Sequence, residues 1–174
     1  MIESMKHLLL GLVITCTTSL SASATVVESL DLTQLVGRSD RIVRGHVASQ
    51  RAYWADGRIW TDATIRVDQA FKGGPVAQLV VRRLGGKVGG IGMRTIGEVE
   101  FADGEEVFLF VRRAADVYQT VGLSQGKFRI LRDATGAHAV TNLGGAKLYG
   151  PDQPAVRELG DLEKSVKALV GGRQ

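Results

Sequence analysis

Cysteine is almost missing from this sequence: Cys16 is the one cysteine among 174 residues. An intramolecular disulfide needs two, so no disulfide framework can form. Small secreted animal domains usually depend on such a framework, and the absence of disulfides here favours a bacterial exported protein. The fold must therefore be held together by the packing of its apolar core.

Metal-ligand patterns are also missing. Beyond residue 24 the chain keeps two histidines, His46 and His138, no cysteine, and no pair of histidines at zinc-ligand spacing. The acidic residues are scattered and match no calcium-binding loop. We therefore expect neither a bound metal nor a cofactor.

The apolar run 8–14 is too short for a membrane-spanning helix, which needs about 20 apolar residues. It follows Lys6 and precedes small residues that end in Ala22-Ser23-Ala24. This order predicts a signal peptide over residues 1–24. The mature protein is then periplasmic or secreted and has no transmembrane segment. Lipid anchoring at Cys16 is the less favoured alternative, because Thr15 is bulkier than the residue that a lipobox has before its cysteine.

Residues 25–174 are predicted to form a single domain. Removing 24 residues from 174 leaves 150, which is the size of one domain. The net charge of +4 is the same with or without the signal peptide, because that segment carries one Glu and one Lys. Such a mild excess suits attraction to anionic surfaces. No long basic run is present, so we expect no nucleic-acid partner.

Alternation of apolar and polar residues predicts a mainly β domain. On segment 59–71 one face holds Ile59, Thr61, Ala63, Ile65, Val67 and Phe71. This strand is predicted to pair with 41–54 through a turn at Asp56-Gly57. Further strands are predicted at Gln78–Leu84, 106–113, 118–122, 127–132 and 138–142. Residues 107–111 are apolar on both faces and predict a covered central strand.

Helix signals stand at both ends of this domain. Asp31 and Gln34 have the spacing of a capping box, with Leu30 and Leu35 at hydrophobic-staple positions. A C-terminal helix is predicted over 154–170, with Asp152 as its N-cap. Several short strands with a short N-terminal and a C-terminal helix indicate a small antiparallel barrel.

A G-x-S-x-G motif occurs at Gly122-Leu123-Ser124-Gln125-Gly126. In an α/β-hydrolase a helix follows this motif and a histidine comes later in the chain. Here a predicted strand follows, and His138 is the one later histidine. We therefore predict a turn between strands and no catalytic residue.

The segment 85–97 is rich in glycine. Val81 stands where a phosphate-binding loop needs its first glycine, Val88 follows Lys87, and Thr95 replaces the third glycine of a dinucleotide fingerprint. A plain connector and a binding loop both remain open. The binding hypothesis assigns the contacts to Gly85, Gly86, Lys87, Gly89, Gly90, Gly92 and Arg94.

Paired arginines end two predicted strands, at Arg82-Arg83 and Arg112-Arg113. On a barrel they could merge into one basic patch, as in barrels that bind single strands with aromatic residues over a basic groove. Further members would be Arg66, Arg129 and Arg132, with Trp54, Trp60 and Tyr118 as aromatic partners. Export argues against a nucleic-acid partner, so solvated strand ends that discourage edge pairing are the favoured interpretation.

Four segments resemble a family of uncharacterised bacterial secreted proteins: 35–47, 70–73, the glycine-rich loop and 104–110. Ser39-Asp40-Arg41-Ile42-Val43-Arg44-Gly45-His46-Val47 and Phe71-Lys72-Gly73 are more distantly similar to netrin-like modules, among them the tissue inhibitors of metalloproteinases. This resemblance implies an OB or netrin-like barrel. Those inhibitors bind the target's metal through an N-terminal cysteine, and the mature chain would begin at Thr25, so their mechanism does not carry over.

The leading functional hypothesis is an exported, non-enzymatic binding or accessory module for a protein or an anionic component of the cell envelope. The alternative is a cysteine-free protease inhibitor or protease-associated domain. A serine hydrolase that uses Ser124 is the third and least favoured hypothesis.

Overall fold

The computed structural model describes residues 26–151 and 153–172, and its fold is mainly β with two helices. The strands are β1 (Val26–Glu28), β2 (Arg41–Ala55), β3 (Arg58–Lys72), β4 (Gln78–Leu84), β5 (Gly86–Val88), β6 (Ile91–Met93), β7 (Glu106–Ala114), β8 (Val117–Thr120), β9 (Lys127–Asp133), β10 (Gly136–Val140), β11 (Lys147–Tyr149) and β12 (Val156–Glu158). The helices are α1 (Leu32–Arg38) and α2 (Leu159–Gly171). Neither helix is long and apolar enough to cross a membrane.

The main sheet closes partly into a ring. Its strand order is β12-β10-β9-β7-β2-β3-β4-β8, and β8 also pairs with β7. The strands β7, β2, β3, β4 and β8 therefore surround a common interior. Most neighbours are antiparallel, but β4 and β8 run parallel and share one residue pair, Val81 with Tyr118. The predicted antiparallel barrel is thus confirmed as a mainly β fold, with a ring that is only partly closed.

Two apolar clusters follow from strand alternation, because successive side chains point to opposite faces. One fills the ring and includes Val47, Ile65 and Leu109. The other lies outside it, where α1 and α2 cover Phe108, Phe110 and their neighbours. Both faces of β7 are therefore buried, and the prediction of a covered central strand over 107–111 is confirmed.

A bulge in the long β2–β3 hairpin changes which face Phe71 occupies. Gly45 pairs with Val67 while Arg44 pairs with Gln69, so Asp68 is an extra residue. An extra residue shifts the alternation by one. The prediction that Phe71 shares a face with Ile65 is therefore wrong. Its ring instead packs on Phe108 in the outer cluster, with centroids 4.8 Å apart.

The two helices differ in how well their starts were predicted. The capping box of α1 is confirmed: the amide of Gln34 donates to the Asp31 carboxylate (2.7 Å), and the Gln34 side chain accepts from the Asp31 amide (2.9 Å). The C-terminal helix, predicted over 154–170, begins later, at Leu159, because Val156–Glu158 pairs with β10 as β12. Its N-cap position is Glu158, and Asp152 lies outside the described residues.

Candidate anion-binding cleft

The glycine-rich segment is a hairpin and not a plain loop. Strands β5 and β6 pair from Gly86 with Met93 to Val88 with Ile91, and Gly89-Gly90 forms the turn. Lys87 is exposed, and Arg94 makes only a loose, exposed contact of 3.4 Å with Glu100. The predicted contact residues are therefore spread along the hairpin. Gly85 and Gly86 lie at its root, with the exposed Arg94 just beyond β6, whereas the Lys87–Gly92 pair and the turn glycines Gly89 and Gly90 form its outer part.

The root of the hairpin packs tightly against β3. The Thr61 hydroxyl donates to the Gly85 carbonyl (2.6 Å), and the Gly85 amide donates to the Ile59 carbonyl (2.7 Å). At Gly86, φ is +141°, and a Cβ there would collide with the Thr61 hydroxyl. Glycine is thus required at Gly86 by both backbone conformation and packing.

Gly86→Ala is expected to destabilise the protein by about 2–4 kcal/mol, because backbone strain and overpacking add. The matched control is Gly90→Ala, since Gly90 has open space around it and no positive φ. Urea unfolding monitored by circular dichroism measures both. Equal stabilities for the two variants would show that the hairpin root rearranges to accept a Cβ at residue 86 without loss of stability, which contradicts the prediction.

The paired arginines converge on a cleft of about 440 Å³ on one side of the ring. Its lining combines four guanidinium groups with apolar and amide side chains. The polar lining residues are Arg38, Arg82, Arg83, Arg112, Glu98, Gln119 and Thr120, and the others are Leu30, Trp60, Leu84, Val121, Gly122 and Leu123. Of the seven arginines considered for a merged basic patch, Arg82, Arg83 and Arg112 line this cleft.

Four structural elements bring these side chains together. Arg82 lies on the outer face of β4, opposite Asp62 of β3. Arg83 lies on the other face of β4, in the row that continues Leu79 and Val81 of the inner cluster. Arg112 of β7 lies opposite Gln119 of β8, and Arg38 comes from the last turn of α1.

Two of the four arginines are neutralised by carboxylates. Arg82 forms a two-pronged pair with Asp62, at 2.7 and 2.9 Å, and this contact raises the pKa of Arg82 above its ordinary value. Arg38 pairs with Glu28 at 3.1 Å, where both side chains are about half exposed. These contacts fix the positions of the two guanidinium groups and reduce their attraction for a further anion.

The other two arginines keep their binding capacity. The Nε of Arg83 is buried and has no hydrogen-bond partner within residues 26–151 and 153–172. Burial lowers the pKa of the Arg83 guanidinium, and the carboxylates of Glu100 and Glu98 oppose that shift. Arg112 is exposed, and no described residue forms a salt bridge with it. An anion in the cleft would give both groups a partner.

Glu98 is the carboxyl group of the cleft. Burial raises its pKa, while hydrogen bonds from the Val99 and Leu84 amides and the charge of Arg83 act in the opposite direction. Glu98 also lines a second cleft, together with Arg83, Leu84 and three residues of the glycine-rich segment, Gly86, Gly92 and Arg94. The predicted glycine-rich site and the arginine cleft therefore adjoin at Arg83 and Glu98.

The remaining basic and aromatic candidates lie elsewhere. Arg132 pairs with Glu106 (2.9 Å), Arg129 lies near Glu105 (3.8 Å) and Arg66 near Asp68 (3.8 Å). The Nε of Arg113 donates to the Ala115 carbonyl. Of the aromatic candidates, only Trp60 is among the residues that line the cleft. Trp54 lies near the turn of the β2–β3 hairpin, and the Tyr118 hydroxyl accepts a hydrogen bond from Arg41 (2.8 Å).

The G-x-S-x-G segment forms a 3-10 turn before β9, as a turn between strands was predicted. Ser124 is buried, and its amide donates to the Gly97 carbonyl (3.0 Å). A Cβ at Gly126 would lie 2.5 Å from the Val121 carbonyl oxygen and 2.8 Å from that of Phe110. Packing against two strands therefore accounts for the glycine at 126.

The two histidines contact carboxylates in separate places. The Nδ1 of His46 lies 2.7 Å from Asp68, and the Nδ1 of His138 lies 2.9 Å from Glu158. Among the described residues, no cluster of three or more His, Cys, Asp or Glu side chains has the geometry to hold a metal ion.

Arg38, Glu98, Gln119 and Leu123 were not predicted as members of this site. They come from three separate segments, around residues 38, 98 and 119–123, and no local spacing signals that these segments meet. The available signal was the excess of arginine at strand ends. No protein-family model matches the chain, and a search of curated proteins found no match.

Proposed function

We propose that this protein is a non-enzymatic binding module that recognises an anionic group, carried by a component of the cell envelope, in the arginine cleft. The observation that carries the proposal is the convergence of Arg83 and Arg112 on one cleft, since neither forms a salt bridge with a described residue. A guanidinium group without a carboxylate partner can form charge-assisted hydrogen bonds with an anion.

The chemistry of the cleft suits binding. A guanidinium group keeps its charge at any physiological pH and presents a planar set of donors that matches carboxylate and phosphate oxygens. Hydrogen bonds between charged groups are shorter and stronger than neutral ones. Arginines that neither give nor take a proton at neutral pH serve to hold an anion, and Gln119 adds an amide donor beside Arg112.

The position of the cleft supports an OB or netrin-like identity for the ring, which we include in the proposal. Barrels of the OB type bind ligands on the face of their second and third strands. In this ring those are β3 and β4, which contribute Trp60, Arg82, Arg83 and Leu84 to the cleft. A fold of this kind hosts many functions, so the arginines and not the fold define the ligand.

Export to the cell envelope is part of the same proposal. It rests on the signal-peptide pattern of residues 1–24, which lie outside the described residues. An envelope rich in phosphate and carboxylate groups would offer anions to a mature chain with a net charge of +4.

Sulfate titration tests the proposal, with affinity measured by calorimetry. Arg83→Met and Arg112→Met are each expected to weaken sulfate binding about tenfold or more, the worth of a charge-assisted hydrogen bond. Arg58→Met is the matched control: it removes the same charge from the exposed start of β3 and should leave the affinity almost unchanged.

Lowering the pH provides a second readout in the same titration. The pKa of Glu98 is raised, so mild acid protonates this carboxyl and removes a negative charge from the cleft. Sulfate affinity should then rise as the pH falls, and Glu98→Gln should abolish most of that rise. Equal loss of sulfate affinity in all three arginine variants would show that affinity depends only on net charge, and would contradict the proposal.

A further inference from the structure

We infer that the ligand of the arginine cleft is an amphiphilic anion, in which an alkyl or aryl group is joined to the charged group, and that Leu123 is its apolar contact. This inference rests on the proposed function and adds the chemical class of the ligand. It is carried by Leu123, which combines an unfavourable backbone conformation with an exposed apolar side chain on the wall of the cleft.

The backbone of Leu123 is strained. Its φ is +59°, in the left-handed region that bulky residues avoid. Glycine or asparagine adopts this conformation at little cost, and a leucine does not. Strained residues of this kind concentrate at ligand-binding sites, where the side chain has a use that offsets the strain.

The side chain of Leu123 is only partly covered by the fold. It is 36% exposed although it is apolar, and it lines the cleft together with Arg83 and Arg112. A Cβ added at Gly97 would lie 3.6 Å from the Leu123 Cδ1, so Leu123 is close to this glycine, and Ile96, another exposed apolar residue, precedes it. The apolar surface therefore continues from the cleft toward the loop at 96–97.

Trp60 and Leu84 supply a second apolar wall. They are cross-strand neighbours on β3 and β4, and both line the cleft beside Arg82 and Arg83. A volume of about 440 Å³ falls in the range of small-molecule sites. Guanidinium groups that need an anion, bounded by apolar walls, match a molecule that carries both kinds of group.

A series of straight-chain carboxylates tests the inference: acetate, hexanoate and decanoate, each used as the monomer and displaced with sulfate. Affinity should rise with chain length, by about two- to fourfold for each methylene that leaves water. Leu123→Gly should flatten this dependence, weakening decanoate binding far more than acetate or sulfate binding. The same variant should raise the Tm, because glycine relieves the positive φ.

Ala115→Gly is the matched control. Ala115 also has a positive φ, +56°, but it lies in the exposed turn between β7 and β8 and does not line the cleft. This variant should raise the Tm in the same way and leave the chain-length dependence intact. A fall in Tm confined to Leu123→Gly would mean that packing holds Leu123, and would overturn the inference.

The remaining outcomes separate this inference from the function on which it rests. Equal affinity for all three carboxylates, with sulfate binding still dependent on Arg83, would overturn the amphiphile and keep the anion site. An unchanged dependence of affinity on chain length in Leu123→Gly would likewise overturn the amphiphile and keep the anion site. Loss of sulfate and carboxylate binding altogether would overturn both. Binding to vesicles of phosphatidylglycerol without binding to free carboxylates would replace the monomeric amphiphile by a membrane surface.

Discussion

Replacing Glu105 with glutamine is expected to destabilise the protein by about 3–5 kcal/mol, the cost of leaving a buried charge without its partner. The Nζ of Lys127 donates to both carboxylate oxygens of Glu105, at 2.8 and 2.7 Å, and the two side chains are only 12% and 7% exposed. Burial lowers the pKa of Lys127, and its hydrogen bond to Glu105 acts in the opposite direction. The Lys127 ammonium also lies 4.9 Å from the centre of the Phe101 ring.

Urea unfolding of Glu105→Gln measures this cost, and Glu100→Gln is the matched control. The side chain of Glu100 is mostly exposed and makes only a 3.4 Å contact with Arg94, so its loss should change stability by about 0.5 kcal/mol or less. A double variant that makes both Glu105 and Lys127 apolar should recover part of the lost stability, because no charge remains buried. A cost below about 1 kcal/mol for Glu105→Gln would contradict the buried pair.

Phe108→Ala is expected to cost about 3–5 kcal/mol, because it removes a large fully buried ring and leaves a cavity. Phe108 has no exposed surface, and its ring lies between those of Phe71 (4.8 Å) and Phe110 (5.5 Å) beneath the two helices.

The same denaturation measurement checks this value, with Leu131→Ala as the apolar control on the exposed side of β9. Leu131 is 40% exposed, so its truncation should cost little. A loss at Phe108 no larger than that at Leu131 would show that the helices do not pack firmly on this face of the sheet.

The regular parts of this fold were predictable from the sequence, because a local pattern determined them. The bounds of β4, Gln78–Leu84, match their prediction, and so does the burial of both faces of β7. The capping box at Asp31 was also predictable, since both of its hydrogen bonds join residues three apart.

The errors arose where tertiary contacts override the local pattern. Phe71 changed faces because a bulge is a property of two strands and not of one. Val156 fits the helical spacing of the last segment, but it is 54% exposed on β12, where pairing with β10 replaces the first helical turns. The paired glycines of segment 85–97 indicated only a loop, because strands of three residues each are too short to give an alternation signal.

The candidate site was predictable only in its charge. Arginine pairs at strand ends gave Arg82, Arg83 and Arg112, but their convergence depends on the order in which strands surround the ring. The carboxyl of Glu98 and the strained Leu123 entered the site through loops, and no spacing in the sequence connects those loops to β4 or β7.

The junction between β4 and β8 is the one that closes the ring. Among the described residues it is held by a single parallel pair, Val81 with Tyr118, whereas the other four junctions of the ring carry longer ladders. Local opening with the lowest free energy should therefore begin there. Arg83 lies on one side of this junction and Arg112 on the other. An anion held by both arginines would link β4 to the β7–β8 side of this junction. The free energy of binding would therefore also resist the separation of β4 from β8.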